Sequence, residues 1–306
     1  MTQRITPKSA FSAIAISMAY LLLSAFLIGF KQEQLVLVAL FLGCYFLSPI
    51  TRKFILGFSV FIVFWIVFDY MKAFPNYHYN TVHIAQLYNA EKNLFGFMHN
   101  GVRITPNEYW LQHHTNFLDV LSGIFYLSWV PVPLIFAGFL FFKNRQQFFY
   151  FSLTFLLVNL IGFAIYYIYP AAPPWYVQQY GFQFRAGTPG NTAGLQRFDD
   201  YFHVSIFKGL YQKSSNVFAA MPSLHSSYPL ILLYYGIKSK AGWVNIFFAT
   251  IMLGIWFSAI YTSHHYVLDV LAGITCAIAG IVLFRLLATK NRVFINWLNR
   301  WIAAVS

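Results

Sequence analysis

The chain has 306 residues, of which 59% are hydrophobic and only 9% charged. A soluble domain carries about 25% charged residues, so the composition excludes a water-faced globular protein and implies an integral membrane protein. The net charge of +12 points away from nucleic acid, because the basic residues fall mostly in short loops between apolar runs, where they set topology.

Lys8 and Arg4 precede a first apolar run, Phe11 to Phe30, long enough at about 20 residues for a bilayer crossing and too long for the core of a cleaved leader. A short second span runs from Leu35 to Ile50, and a third from Phe54 to Phe68. A polar stretch from Asp69 to Asn116 leads to a fourth span, Phe117 to Phe142, and a fifth, Phe148 to Tyr169. A second long loop, Pro170 to Met221, is followed by a short sixth span, Pro222 to Ile237, in which Pro229 is placed to kink a helix. The seventh is Trp243 to Tyr261, and the eighth begins near His265 and ends near Leu287. Beyond it, Val293, Trp297 and Trp301 lie on one helical stripe, Phe294, Leu298 and Ile302 on the next, and Arg292, Asn296, Asn299 and Arg300 opposite. That pattern predicts an amphipathic interfacial helix. Cys44 and Cys276 lie inside apolar runs, so no structural disulfide is expected.

The expected fold is all-α: a polytopic membrane helical bundle of about eight transmembrane helices. Residues 1–53 form peripheral spans, 54–289 a catalytic core with six helices, and 290–306 the interfacial helix. Arg4 and Lys8, Arg52 and Lys53, Lys143 and Arg145, Lys238 and Lys240, and Lys290 with Arg292 fall at alternate span ends, which places both termini in the cytoplasm. All nine histidines and all eight acids then lie on the periplasmic or lumenal side. Loop length explains most of them. It does not explain His265 and Asp269, which enter a span, where ionisable groups are costly and usually functional.

Two stretches carry the chemistry: Ala220-Met221-Pro222-Ser223-Leu224-His225 and Ser263-His264-His265-Tyr266-Val267-Leu268-Asp269. If the second is helical, His265 and Asp269 share a face, and the carboxylate can fix the imidazole tautomer and steady the charge of a histidine nucleophile. In the first, the free N–H groups of a helix start and the Ser223 hydroxyl are suited to phosphate oxygens. Two bland readings stand beside these: a capped helix with a backbone-bonded histidine, and a structural i, i+4 pair. Metal ligation by His264, His265 and Asp269 is disfavoured, since adjacent helical histidines point about 100° apart and no HExxH-like spacing is present.

Together the stretches resemble the type 2 phosphatidic acid phosphatase superfamily, whose signature includes Pro-Ser-Gly-His and Ser-Arg, five residues, His, three residues, Asp. Here the last part aligns as Ser258-Ala259, Ile260 to His264, His265, Tyr266 to Leu268, Asp269. The resemblance implies a phosphohistidine nucleophile at His265, an orienting Asp269, and a general acid at His225, without metal or other cofactor. Leu224 replaces the motif's glycine, Ala259 replaces its phosphate-binding arginine, and the Lys, six residues, Arg-Pro motif is absent. Tyr169-Pro170-Ala171-Ala172-Pro173-Pro174-Trp175-Tyr176 stands in its place. These changes, with Asn93-Leu94-Phe95-Gly96 and Asn116-Phe117-Leu118-Asp119, are similar to the inositol phosphorylceramide synthase branch, the aureobasidin target, over about Leu87 to Gly273.

That branch implies transfer of a phospho-headgroup, phosphoinositol by inheritance, from a glycerophospholipid to a ceramide-type acceptor. The partners implied are therefore membrane lipids. Substrate-binding candidates are Ser223, His264, Asp119, Tyr176 and Arg185. Asp119 is suited to polyol hydroxyls or, with Asn116 as cap, to a helix start. Pro173 to Tyr176 is suited to an interfacial lid or an aromatic anchor. Arg185, Arg197, Lys208 and Lys213 are the outer-loop cations open to replace the lost phosphate clamps, or to face lipid headgroups. A lipid phosphate or lipid diphosphate phosphatase of the same superfamily and a non-catalytic membrane transporter or scaffold remain alternatives.

Overall fold

The computed structural model describes residues 5–212 and 216–306; Arg4 and Lys213 lie outside the described residues. The chain opens with α1 (Pro7–Ile28), α2 (Gln32–Leu47) and α3 (Pro49–Tyr70). Thr6 and Ser48 cap α1 and α3 by accepting from the N–H three residues on, each before a proline at the first helical position. The first long loop contains α4 (Ala85–Phe95), the strands β1 (Phe97–His99) and β2 (Val102–Ile104), and α5 (Pro106–Gln112). The strands pair antiparallel, His99 opposite Val102, around Asn100 and Gly101, both at positive φ. An Asn-Gly pair is the usual two-residue hairpin turn, a signal the polar composition of the loop concealed.

The fourth predicted span is two helices, α6 (Asn116–Leu127) and α7 (Pro131–Lys143), separated at Ser128, Trp129 and Val130. Pro131 and Pro133 lack the N–H groups that would continue the ladder across the break. Thr115, not Asn116, caps α6. Then follow α8 (Arg145–Ile168), the helices of the second long loop, α9 (Pro174–Tyr180), α10 (Gln196–Phe202) and α11 (Ile206–Gln212), and α12 (Leu224–Lys238), α13 (Val244–Tyr261), α14 (Val267–Lys290) and α15 (Arg292–Val305).

Among the described residues, six segments are long and apolar enough to cross a membrane: α1, α3, α6–α7, α8, α13 and α14. Two further apolar helices, α2 and α12, have 16 and 15 residues, short of the ~20 a crossing ordinarily needs. The brevity of α12 has a physical context. Leu224, Ile231, Leu232 and Tyr235 are buried against α8, α13 and α14, so protein, more than lipid, surrounds it. The protein is an integral, multi-pass membrane protein.

The main core joins α3, α7, α8, α12 and α14 through phenylalanine-rich faces, among them Phe64, Phe141, Phe148, Phe151, Phe155 and Phe284. In α15, Leu298 and Val305 are buried on the bundle and the polar residues Arg292, Asn296, Asn299 and Arg300 are exposed, while Val293, on the other apolar stripe, is 80% exposed. By contrast, the buried side chains of α1 number only Ala13, Ser17 and Ser24.

Candidate active site

The two histidine stretches meet at the N-terminal ends of α12 and α14. The Ser223 N–H donates to the Asp269 carbonyl at 2.9 Å, so the two helix starts are joined through their backbones. Ser223 is the N-cap of α12 and is fully buried, its hydroxyl accepting from the Ser226 N–H and hydroxyl. Pro222 precedes the helix instead of lying in its first turn. Leu224 turns into the bundle, where a side chain at Gly162 of α8 would meet it within 2.6 Å. The leucine that departs from the family motif is thus accommodated by a glycine on the facing helix.

His265 lies outside any helix, because α14 begins only at Val267. After α13 the chain reverses through Ser263, at φ 59°, and the N–H groups of His264 and His265 both donate to the Ala259 carbonyl, at 3.1 and 2.9 Å. Ala259 is wholly buried, so the position of the missing arginine serves to fold this turn. The pairing with Asp269 survives the loss of helical geometry. His265 Nδ1 is 3.6 Å from Asp269 Oδ2, and the same oxygen accepts from the Tyr266 N–H at 2.8 Å. On its other side, His265 Nε2 lies 3.5 Å from His225 Nδ1. Asp269 is fully buried and His265 is 6% exposed.

Two residues that the sequence reading did not single out hold this turn. Glu91 of α4 is fully buried and accepts from the Val267 and Leu268 N–H groups at 3.0 and 3.1 Å. With Asp269 on Tyr266, two carboxylates satisfy the first free donors of α14. Burial pushes the Glu91 carboxyl up to about 7 from 4.5, with the negative charge of Asp269 adding to the effect and the two backbone bonds opposing it. Asn107 of α5, also fully buried, donates from Nδ2 to the carbonyls of Ile260 and His265, at 2.8 and 2.9 Å. Aromatic rings close the sides. Tyr126 lies 5.2 Å from the His225 ring and 5.4 Å from that of His264, and Trp129, from the α6–α7 break, packs edge-on against His225 at 4.8 Å.

The remaining candidates divide between this turn and its surroundings. His264 is buried between Tyr126 and Tyr211, with Nδ1 3.0 Å from the Thr262 hydroxyl. The Pro-rich segment meets the turn, since the Trp175 N–H donates to the Ser263 carbonyl at 3.0 Å. Tyr176 is wholly buried, its hydroxyl bonded to Gln183 and Arg185 backbone. Arg185 is exposed, over the Tyr180 ring at 4.9 Å, and Lys208 is also exposed. Asp119 is buried and accepts from Arg197 Nε at 2.6 Å and the Tyr261 hydroxyl at 2.8 Å. Among the described residues, no three His, Cys, Asp or Glu side chains converge as a metal site.

A buried histidine with a carboxylate on one side and a second histidine on the other, set at the end of a membrane helical bundle, fits a membrane-embedded phosphotransferase. The PAP2 superfamily model matches residues 85–283, and the chain belongs to that superfamily. It is 49% identical over 296 residues to a phosphoinositol dihydroceramide synthase of Bacteroides thetaiotaomicron, covering 96% of this chain and 97% of that one. It is 28% identical to the inositol phosphorylceramide synthase catalytic subunit of Saccharomyces cerevisiae, over 76% of this chain and 57% of the yeast protein. The corresponding Candida albicans synthase is 31% identical over 54% of this chain and 32% of its own length. No solved structure matches the chain.

Proposed function

We propose that the chain is a phosphotransferase that moves phosphoinositol from a glycerophospholipid to a ceramide-type acceptor, by double displacement at His265. The observation that carries the mechanism is the chain of contacts from Asp269 through His265 to His225. Asp269 faces Nδ1 of His265, which favours a proton there and leaves the Nε2 lone pair free. Nε2 attacks phosphorus, the bond from phosphorus to the diacylglycerol oxygen breaks, and His225 gives that oxygen its proton. The acceptor hydroxyl then attacks the phosphohistidine, the nitrogen–phosphorus bond breaks, and His225 takes the proton back. No step calls for a metal. His264, Ser223 and Asp119 are proposed to contact substrate, and Tyr176 and Arg185 to act from the loop above the turn.

The relatives named phosphoinositol dihydroceramide synthase and inositol phosphorylceramide synthase support this reading over a phosphatase. The buried turn adds a reason: a transferase must keep water from its covalent intermediate. Purified protein given labelled phosphatidylinositol should form labelled phosphoinositol-ceramide only when ceramide is added. Headgroup release independent of ceramide would instead establish a phosphatase. We also propose that the site faces the periplasmic or lumenal side with both termini cytoplasmic. Impermeant labelling of a cysteine placed at exposed Arg185 and at Lys240 tests this, and only the former should react in sealed cells.

A further inference from the structure

Asp119, Arg197 and Ser122 form a second polar centre that the two-histidine chemistry does not use. Asp119 sits in the first turn of α6 and is 4% exposed. Its Oδ1 takes the bonds from Arg197 and Tyr261, and its Oδ2 lies 3.4 Å from Nδ1 of His114. Arg197 spends only Nε on this carboxylate. Its Nη2 is buried and, among the described residues, has no partner. One turn along α6, the Ser122 hydroxyl is likewise buried and unpartnered. That is unusual here: Ser152 and Ser258, also buried in helices, each donate to the carbonyl four residues back at 2.7 Å. Buried donors left open beside a satisfied ion pair mark a place where something else supplies the bond.

The charge balance says what kind of group that is. Asp119 neutralises Arg197, so the centre is a poor clamp for a phosphate. It offers donors and acceptors side by side with little net charge, which suits neutral hydroxyl groups carried on adjacent carbons. Its position agrees. Asp119, Ser122 and Tyr126 are buried on one face of α6, and Tyr126 touches both His225 and His264. Seven residues of helix place Asp119 about 10 Å from Tyr126, the reach of a phosphate joined to a six-membered ring and one hydrogen bond.

We infer that Arg197, held by Asp119, acts with Ser122 as the recognition site for vicinal hydroxyls of a cyclic polyol headgroup, while phosphorus lies at the histidines. The inference rests on the phosphotransferase reading for the position of phosphorus. Its test uses the full chain in detergent, with myo-inositol 1-phosphate and glycerol 1-phosphate as probes, which share a phosphate and differ in the polyol. The wild type should bind the inositol ester at least about tenfold more tightly. Ser122→Ala and Arg197→Lys should each cut that ratio by about fivefold or more and raise KM for phosphatidylinositol with kcat within about threefold. His265→Ala, which abolishes turnover, should keep the ratio. Equal binding of the two esters by the wild type would overturn the site, as would an unchanged ratio in Ser122→Ala. That variant breaks no bond of the folded protein and so decides the matter even where Arg197→Lys fails to fold. If the preference holds but no headgroup reaches ceramide, the recognition site stands and the proposed reaction falls.

Discussion

Asp269 and Asp119 are both buried carboxylates in the first turn of an apolar helix, and they are held in opposite ways. Asp119 has a full cation: Arg197 lies against it at 2.6 Å. Among the described residues Asp269 has no such partner, only the Tyr266 N–H and an imidazole at 3.6 Å. An ion pair already closed stabilises position and has little to give a reacting group. A buried carboxylate facing a neutral ring gains most when that ring becomes charged, as it does in attack on phosphorus. By our proposal, the difference assigns chemistry to the Asp269 centre and recognition to the Asp119 centre.

Four experiments press on that division. The largest effect is expected for His265→Ala, which should lower kcat by roughly 10⁴ or more while the protein folds and keeps its lipid binding. A single-turnover assay for label retained on protein provides the check, since the wild type should carry it and the variant should not. Asp269→Asn comes next. The amide can still accept from Tyr266 but carries no charge, and kcat should fall by about 10³ with KM little changed. An equal fall in kcat for Asp119→Asn would erase the distinction between the two centres.

A smaller effect concerns Glu91, the second carboxylate at the α14 start. Its folded-state pKa of about 7, against 4.5 ordinarily, means the folded protein holds a proton that the unfolded chain releases. The resulting stability is present at low pH and is lost as pH rises through 7. Glu91→Gln removes this term. The melting temperature of the wild type, relative to Glu91→Gln, should therefore rise as pH falls from about 8 to about 6. A difference that stays flat would place the Glu91 titration elsewhere. The smallest effect is expected at the N-terminus, proposed as peripheral. Removing residues 1–30 deletes α1, whose buried side chains are small, and should change transfer by less than about threefold.

Legibility followed distance along the chain. The spans could be read because about 20 apolar residues are a local property, and the His265 to Asp269 pair because four residues separate its members. Where the reading missed, the partner was remote. Glu91 meets Val267 across 176 positions and Asn107 meets His265 across 158. Neither residue carries a local pattern, because a carboxylate or amide becomes a clamp only when the fold brings a free backbone group to it. Asp119 could be noticed as an acid entering a span, but its partner Arg197 is 78 residues away. The α6–α7 break was signalled by Pro131 and Pro133, yet the apolar run across it concealed the interruption.

The sequence by itself determined a membrane bundle and the family, and it offered the histidines and carboxylate proposed for the site, because hydropathy and short spacings need no fold to be read. Only the tertiary structure decided that His265 stands in a turn and not on a helix, that Ala259 and Leu224 are absorbed by that turn and by Gly162, and that Arg197 is spent partly on Asp119. Each of these depends on which remote groups the packed chain brings into contact in a buried site. Free energy there is set by the whole surroundings, because a polar group cut off from water must find its partner wherever the packed chain supplies one.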